Sequence, residues 1–171
     1  MRKAVTAAVL AALFASGAIW LAWRHFHRDE RLIEETLREC ADAASFTPGE
    51  AQIGSLLKLR RIEERTEDTI DISLRVRGRS IVEKLSRKDL ISNLAATRKY
   101  LTSLAIDLGD LVIIVTDDTA SAEASVQLRG TGGSDQRSWQ DTALEDVKFT
   151  LVKREGRWRI AAVSGGDFMT K

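Results

Sequence analysis

Alternating apolar and polar residues predict one strand before the middle of the chain and a run of strands in its C-terminal half. In residues 70–76, IDISLRV, every second side chain is apolar, which is typical of a half-buried strand. The same alternation returns in residues 122–128, and residues 104–115 are rich in strand-forming side chains. Asp117-Asp118 and Glu155-Gly156 have the composition of turns between such strands. We therefore predict a run of antiparallel strands that extends towards the C-terminus.

A helix with one continuous apolar face is predicted from about Asp29 onwards. Cys40 lies on this face and is the one cysteine of the chain, so it cannot form an internal disulfide. No histidine follows His27 that could activate its thiol, which favours a small buried residue over a nucleophile. The residues of the face are Ile33, Leu37, Cys40, Ala41 and Ala44.

Two further helices are indicated by their start signals. Thr47-Pro48-Gly49-Glu50 offers an N-cap, a proline at the first helical position and a glutamate three residues on. Ser86-Arg87-Lys88-Asp89 has the form of a second cap, and Tyr100 lies at the edge of the helix that follows. The predicted buried side chains of the first of these helices are Ile53, Leu56, Leu57 and Ile62, and Leu90, Leu94 and Leu101 share one face of the second.

The N-terminal segment predicts a membrane anchor. Val5–Trp23 is an uncharged run of 19 residues, and a helix of that length reaches about 28 Å, near the thickness of a bilayer core. A cleaved signal peptide is the alternative, because Ser16-Gly17-Ala18 supplies small residues at a possible cleavage position. The apolar run continues beyond that point and ends in tryptophans, which favours an uncleaved anchor over residues 1–28. The predicted interface residues are Trp20, Trp23 and Arg24.

The basic residues on the two sides of this anchor are almost balanced in number. The basic segment before the apolar run favours a cytoplasmic N-terminus. We therefore expect a single-pass protein of the inner cell membrane whose C-terminal domain is periplasmic or otherwise extracytoplasmic. His25 and His27 lack a third ligand at metal-binding spacing, so we interpret them as interfacial polar residues and assign no metal.

Charge excludes one class of partner. Lys and Arg total 26 and Asp and Glu total 25, a net charge of +1, without the one-signed field of a nucleic-acid binder. The basic cluster Lys58, Arg60, Arg61 and Arg65 alternates with glutamates, which predicts a solvated face neutralised by its own ion pairs. The glycines of residues 130–134 lack the phosphate-binding pattern, and no cofactor is implied.

Helices followed by strands predict an α+β domain whose helices cover one face of the sheet. Its final segment, EDVKFTLVKREGRWRIAAV, resembles the nuclear-transport-factor-two-like superfamily, the cystatin-like cone fold of SnoaL-type polyketide cyclases and ketosteroid isomerases. The final hairpin of that superfamily reads apolar-x-apolar, a polar turn with glycine, then tryptophan, a basic residue and isoleucine. The matching residues are Phe149, Leu151, Gly156, Trp158, Arg159 and Ile160.

This resemblance covers about residues 31–163 and implies a curved antiparallel sheet packed against about three helices. The concave side of such a sheet can leave a pocket. We assign residues 29–163 to this domain and residues 164–171 to a flexible tail, because the tail has few apolar anchors.

Strand parity predicts which side chains face the pocket. A two-residue turn at Glu155-Gly156 pairs Leu151 with Ile160 and Lys153 with Trp158. Val147, Phe149 and Ala162 then share the face of Trp158, and the same parity places Trp139, Asp141 and Glu145 there unless a bulge resets the register. Trp158 itself is expected to pack in the core more than to line a site. The pocket candidates are Trp139, Asp141, Glu145, Phe149, Trp158 and Tyr100, and no residue is assigned a catalytic role.

Two functions remain open from the sequence. An anchor joined directly to the first helix favours a non-enzymatic interaction or assembly subunit of a membrane complex, whose partner is another protein or a second copy. The alternative is a binder of small hydrophobic ligands, or a SnoaL-like isomerase or cyclase that uses Asp141 or Glu145 as a base. An isomerase also needs an oxyanion stabiliser, and Tyr100 is the one tyrosine available, which disfavours an enzyme.

Overall fold

The structure is a computed structural model that describes residues 28–76, 79–132 and 138–170. The predicted anchor, Val5–Trp23, and its interface residues Trp20, Trp23 and Arg24 lie outside these ranges. No helix among the described residues combines the length and the apolar character needed to cross a bilayer.

The described chain contains three helices and six strands. The described part of helix α1 covers residues 28–44, α2 covers Gln52–Glu64 and α3 covers Arg87–Tyr100. The strands are β1 (Thr66–Val76), β2 (Arg79–Ser86), β3 (Leu101–Thr116), β4 (Thr119–Gly132), β5 (Ser138–Arg154) and β6 (Arg157–Thr170).

All six strands belong to one sheet with the order β2-β1-β6-β5-β4-β3. We expected a wholly antiparallel sheet. The sheet is mixed instead, because β6 pairs with β1 in parallel. Strands β3 to β6 form an antiparallel meander, and the last of them returns beside β1. No sequence pattern predicted β2, which pairs with β1 as an antiparallel hairpin and forms one edge of the sheet.

Helix α1 lies on the sheet and supplies the centre of the core. Ile33 and Leu37 are fully buried and pack with Leu151 and Trp158, the latter with 1% of its surface exposed. The apolar face predicted for this helix is therefore present. Burial of each such side chain stabilises the fold by about 1.5–3 kcal/mol, so this helix contributes strongly to stability.

A buried carboxylate of α1, that of Asp29, ties this helix to the β5–β6 hairpin. Asp29 Oδ1 accepts a hydrogen bond from Trp158 Nε1 at 3.3 Å, and both carboxylate oxygens lie 3.0 Å from Lys153 Nζ. The ammonium group also lies 5.4 Å from the centroid of the Trp158 ring, close enough for a cation–π interaction. Trp158 thus has an apolar contact and a polar contact with the same helix.

The hairpin has the predicted register. Leu151 pairs with Ile160 and Lys153 pairs with Trp158. Glu155 and Gly156 have φ values of 52° and 77°, the left-handed pair of a type I′ turn, which suits the twist of the flanking strands. This register places Trp158 beneath α1.

The start of α2 differs from the prediction. The helix begins at Gln52 after Ala51, which makes no side-chain capping hydrogen bond. Residues 47–50 form a turn instead, in which Gly49 has a φ of 79° and the Glu50 amide donates to the Thr47 carbonyl at 3.3 Å. The left-handed glycine interrupts any helix that Pro48 could begin.

The buried side of α2 also differs from the prediction. Leu59 and Ile62 are its buried residues, whereas Ile53, Leu56 and Leu57 are exposed, with 65% of Leu56 accessible. The prediction that these three side chains are buried is wrong, because α2 lies at the rim of the domain and only a narrow stripe of it reaches the rest of the fold.

The cap of α3 is confirmed, since Ser86 Oγ accepts a hydrogen bond from the Asp89 amide at 3.1 Å. The helix ends at Tyr100, so Leu101 begins β3 and does not continue the helical face.

Residues 164–170, which we expected in a flexible tail, continue β6 instead. Their main chain pairs with β5 on one side and, as far as Asp167, with β1 on the other, so main-chain hydrogen bonds hold this segment in the sheet.

We expect the Asp29→Ala substitution to lower the free energy of unfolding by about 2 kcal/mol, because it leaves the indole N–H and the Lys153 ammonium without their acceptor. Urea unfolding of the full chain in detergent at pH 7 measures this change. Asp42→Ala, on the exposed side of α1, is the matched control and should change stability by less than about 0.5 kcal/mol. Equal shifts for the two variants would contradict the structural role of Asp29.

Candidate apolar binding cavity

A cavity of about 230 Å³ lies between α1 and the concave face of the sheet. Every side chain that lines it is aliphatic, aromatic or a thiol. The lining residues are Leu37, Cys40, Ala41 and Ala44 from α1, and Leu74, Ile106, Leu108, Val126, Leu128, Val147, Phe149, Ile160 and Val163 from the sheet.

The cavity exists because side-chain size falls along the apolar face of α1. Ile33 and Leu37 fill the space above Leu151 and Trp158 at the first half of the helix. Ala41 and Ala44, in the second half, carry only a methyl group and leave a gap above the strands. This change from large to small residues is visible in the sequence, so it is the signal that could have located the cavity.

A β-bulge in β6 determines which of its residues lie on the concave face of the sheet. Thr150 pairs with Ala162 while Leu151 pairs with Ile160, so β6 contains one extra residue at this point. Val163 therefore pairs with Phe149 and lines the cavity together with Ile160. The prediction that Ala162 lies on this face is wrong, because the extra residue resets the alternation.

Three of the predicted pocket residues have described side chains, and each lies in a different environment. Phe149 lines the cavity. Trp158 is buried in the adjoining core and is absent from the cavity lining. Tyr100 lies at the end of α3 with 77% of its surface exposed, well outside the cavity lining.

Trp139, Asp141 and Glu145 belong to a stretch of β5 whose side chains lie outside the described part of the structure. The register between β4 and β5 shifts twice along this stretch. Asp146, at the first shift, has a φ of 57°. The unbroken alternation from which these three residues were predicted therefore does not extend along β5, and their place in a pocket stays a prediction.

Cys40 is the titratable side chain among the residues that line the cavity. Burial raises the pKa of its thiol to about 12, with a smaller opposing effect of Arg65 and a small reinforcing effect of Glu39. The thiol is therefore neutral at physiological pH and is neither a base nor an activated nucleophile. Among the described residues, the lining includes no carboxylate, histidine or tyrosine that would form an acid–base pair.

Comparison with solved structures defines the class of fold. The domain shares its fold with a protein from Kribbella flavida, at a TM-score of 0.65 and 16% identity over 81% of this chain and 90% of that one. An uncharacterised protein with a cystatin-like fold from Caulobacter vibrioides matches at a TM-score of 0.58 and 14% identity, over 82% of this chain and 89% of that one. A candidate scytalone dehydratase from Novosphingobium aromaticivorans matches at 0.58 and 12% identity, over 84% of each chain.

The described domain therefore has the cystatin-like, nuclear-transport-factor-two-like fold that the hairpin motif predicted. No protein-family model and no curated protein matches the chain. Identities of this size show the fold alone, because this fold carries several unrelated functions.

We expect Cys40 of the folded chain to react slowly with dithiobis(nitrobenzoate). A pKa of about 12 leaves roughly one thiol in ten thousand ionised at pH 8, so the rate should rise about tenfold per pH unit between pH 7 and 10. In urea the rate should level off above an ordinary pKa of about 8.5. A Cys40→Ala, Glu63→Cys variant, with its thiol on an exposed residue, is the control. A rate for folded Cys40 that levels off below pH 9 would contradict its burial.

Proposed function

We propose that the domain binds a small apolar molecule in the cavity between α1 and the sheet, without transforming it. The wholly apolar lining is the observation that carries this proposal. An apolar cavity of about 150 Å³ accepts benzene, so the volume here suits a ligand of roughly nine non-hydrogen atoms. The neutral Cys40 thiol favours binding over catalysis.

Indene and indole, which have the same shape, form the sharpest pair of probes. We expect indene to bind about tenfold more tightly, because the indole N–H would be buried without an acceptor at a cost of about 1–3 kcal/mol. Methyl NMR titration of the full chain measures both affinities, and the signals of Val126 and Val163 should shift. Equal affinities, or shifts confined to other methyl groups, would contradict the cavity as the site.

Filling the cavity provides a second test of the same site. Ala41→Leu adds three carbon atoms to a lining residue and should abolish indene binding, whereas Asp42→Leu adds an apolar side chain on the exposed side of α1 and should preserve it. Asp141→Asn and Glu145→Gln should leave binding unchanged. A large loss of affinity in either of those two variants would favour the isomerase alternative, in which a pocket carboxylate takes part.

An interaction surface supports a second candidate function. Ile53, Leu56 and Leu57 lie at helical spacing along α2 and are all exposed. Contiguous exposed apolar side chains are typical of surfaces that bind other proteins. With the anchor predicted at Val5–Trp23, this face suits an extracytoplasmic subunit of a membrane complex or a homo-oligomer.

Cysteine labelling tests on which side of the membrane the domain lies and whether a partner covers the apolar face of α2. In a Cys40→Ala background, Asp42→Cys, an exposed position of α1 outside the apolar face of α2, should react with a membrane-impermeant maleimide in intact spheroplasts, since the domain is proposed to lie outside the cytoplasm. Leu56→Cys, on the apolar face of α2, should react at least about fivefold more slowly in spheroplasts than in the purified chain, because a partner covers it.

Asp42→Cys that reacts only after lysis would place the domain in the cytoplasm. Equal rates for Leu56→Cys in spheroplasts and in purified protein would contradict the interaction subunit. Neither result bears on the apolar cavity.

A further inference from the structure

Arginines from three parts of the chain converge beside the β5–β6 hairpin. Arg157 and Arg159 flank Trp158 in β6, so they point away from the core that Trp158 enters. They line a depression of about 300 Å³ with Arg60 of α2 and Arg87 of α3. A neighbouring depression of about 570 Å³ shares Arg157 and Glu64 with it. We call the two depressions the arginine basin; its arginines are Arg60, Arg61, Arg65, Arg87, Arg157 and Arg159.

Positive charge exceeds negative charge in the arginine basin. Six arginines line it against three glutamates, although the whole chain has a net charge of only +1. Arg60 and Arg65 are paired with Glu64 and Glu39, at 3.2 and 2.7 Å. The face that the sequence predicted to be self-neutralised is therefore neutralised only in part.

Three arginine side chains of the basin have no partner within the described part of the chain. Arg61, Arg157 and Arg159 make neither a side-chain hydrogen bond nor an ion pair there. Nε of Arg159 is also buried, so its N–H is removed from water without an acceptor. A buried charged donor without an acceptor is costly, and an anion in the basin would remove that cost.

Guanidinium groups recognise phosphate by paired N–H···O hydrogen bonds, and arginine is the preferred residue for such recognition. Unpaired arginines on α2 and β6 reach the same depressions from different directions. Phosphate is therefore the ligand chemistry that best matches the basin.

The position of α1 places the arginine basin near the proposed anchor. Asp29 of α1 is hydrogen-bonded to Trp158, whose neighbours in sequence are Arg157 and Arg159. Five peptide bonds separate Trp23, the end of the predicted anchor, from Arg28. They reach at most about 17 Å, so the hairpin end of the domain lies close to the membrane surface.

We propose that the arginine basin binds the phosphate of an anionic phospholipid headgroup and so holds the domain against the bilayer. This proposal rests on the membrane anchor proposed above. A basic surface is attracted to anionic lipid, and the attraction falls off within a Debye length.

Arginine modification in vesicles tests the proposal with the full chain. The chain is reconstituted in phosphatidylcholine vesicles with or without 30% phosphatidylglycerol, and modification by hydroxyphenylglyoxal is followed by mass spectrometry. Phosphatidylglycerol should slow the modification of Arg157 and Arg159 at least about fivefold. Arg75, an exposed residue of β1 outside the basin, is the internal control and should react at the same rate in both vesicles.

Two further measurements test the source of the phosphate and the role of the two arginines. Free glycerol phosphate at 10 mM, added to phosphatidylcholine vesicles, should protect Arg157 and Arg159 less than twofold. Equal protection by glycerol phosphate and by phosphatidylglycerol would overturn the lipid as the ligand in favour of a soluble phosphate. In an Arg157→Gln, Arg159→Gln variant the lipid should no longer protect Arg61, whereas Arg75→Gln should preserve that protection.

Flotation of the vesicles distinguishes failure of the basin from failure of the anchor. A chain that floats with both kinds of vesicle but shows no protection would overturn the headgroup site and leave the anchor intact. A chain that floats with neither kind would overturn the anchor and the headgroup site together.

Discussion

The contact between α1 and Trp158 is the interaction on which the other features of the domain depend. The indole is buried under Ile33 and Leu37, and its N–H donates to Asp29 of the same helix. One end of α1 is thereby fixed on the hairpin by apolar and polar contacts at once. The other end, with Ala41 and Ala44, then passes over the sheet without filling the space below it, so the cavity follows from where the helix is attached.

The same attachment relates the cavity to the arginine basin. Alternation along β6 directs Trp158 to one side of the sheet and its neighbours Arg157 and Arg159 to the other. The two sites share no lining residue, so an apolar ligand and an anion can bind without competing for side chains. The proposed headgroup contact would hold α1 near the bilayer, where apolar molecules are concentrated, which is consistent with an apolar cavity beneath that helix.

Local sequence patterns predicted much of the fold. Pairing and packing between residues distant in sequence limited the prediction of the site. The α1 face, the Glu155-Gly156 hairpin and the Ser86 cap depend on neighbouring residues and agree with the structure. The parallel pairing of β1 with β6, the extra residue beside Ala162 and the exposed face of α2 depend on residues distant in sequence. Parity extended along one strand cannot detect bulges, and it gives no indication of the cavity beneath Ala41, while the placement of Asp141 and Glu145 in a pocket stays a prediction.

Xenon binding tests the central claim, a dry apolar cavity beneath α1, most directly. Diffraction data from crystals of the full chain under xenon pressure should show one strong peak in contact with Ala41, Val126 and Val163, because xenon enters apolar cavities that exclude water. The peak should be absent from an Ala41→Leu variant with the same fold. Density for a protein side chain in that space, or no xenon there, would contradict the account.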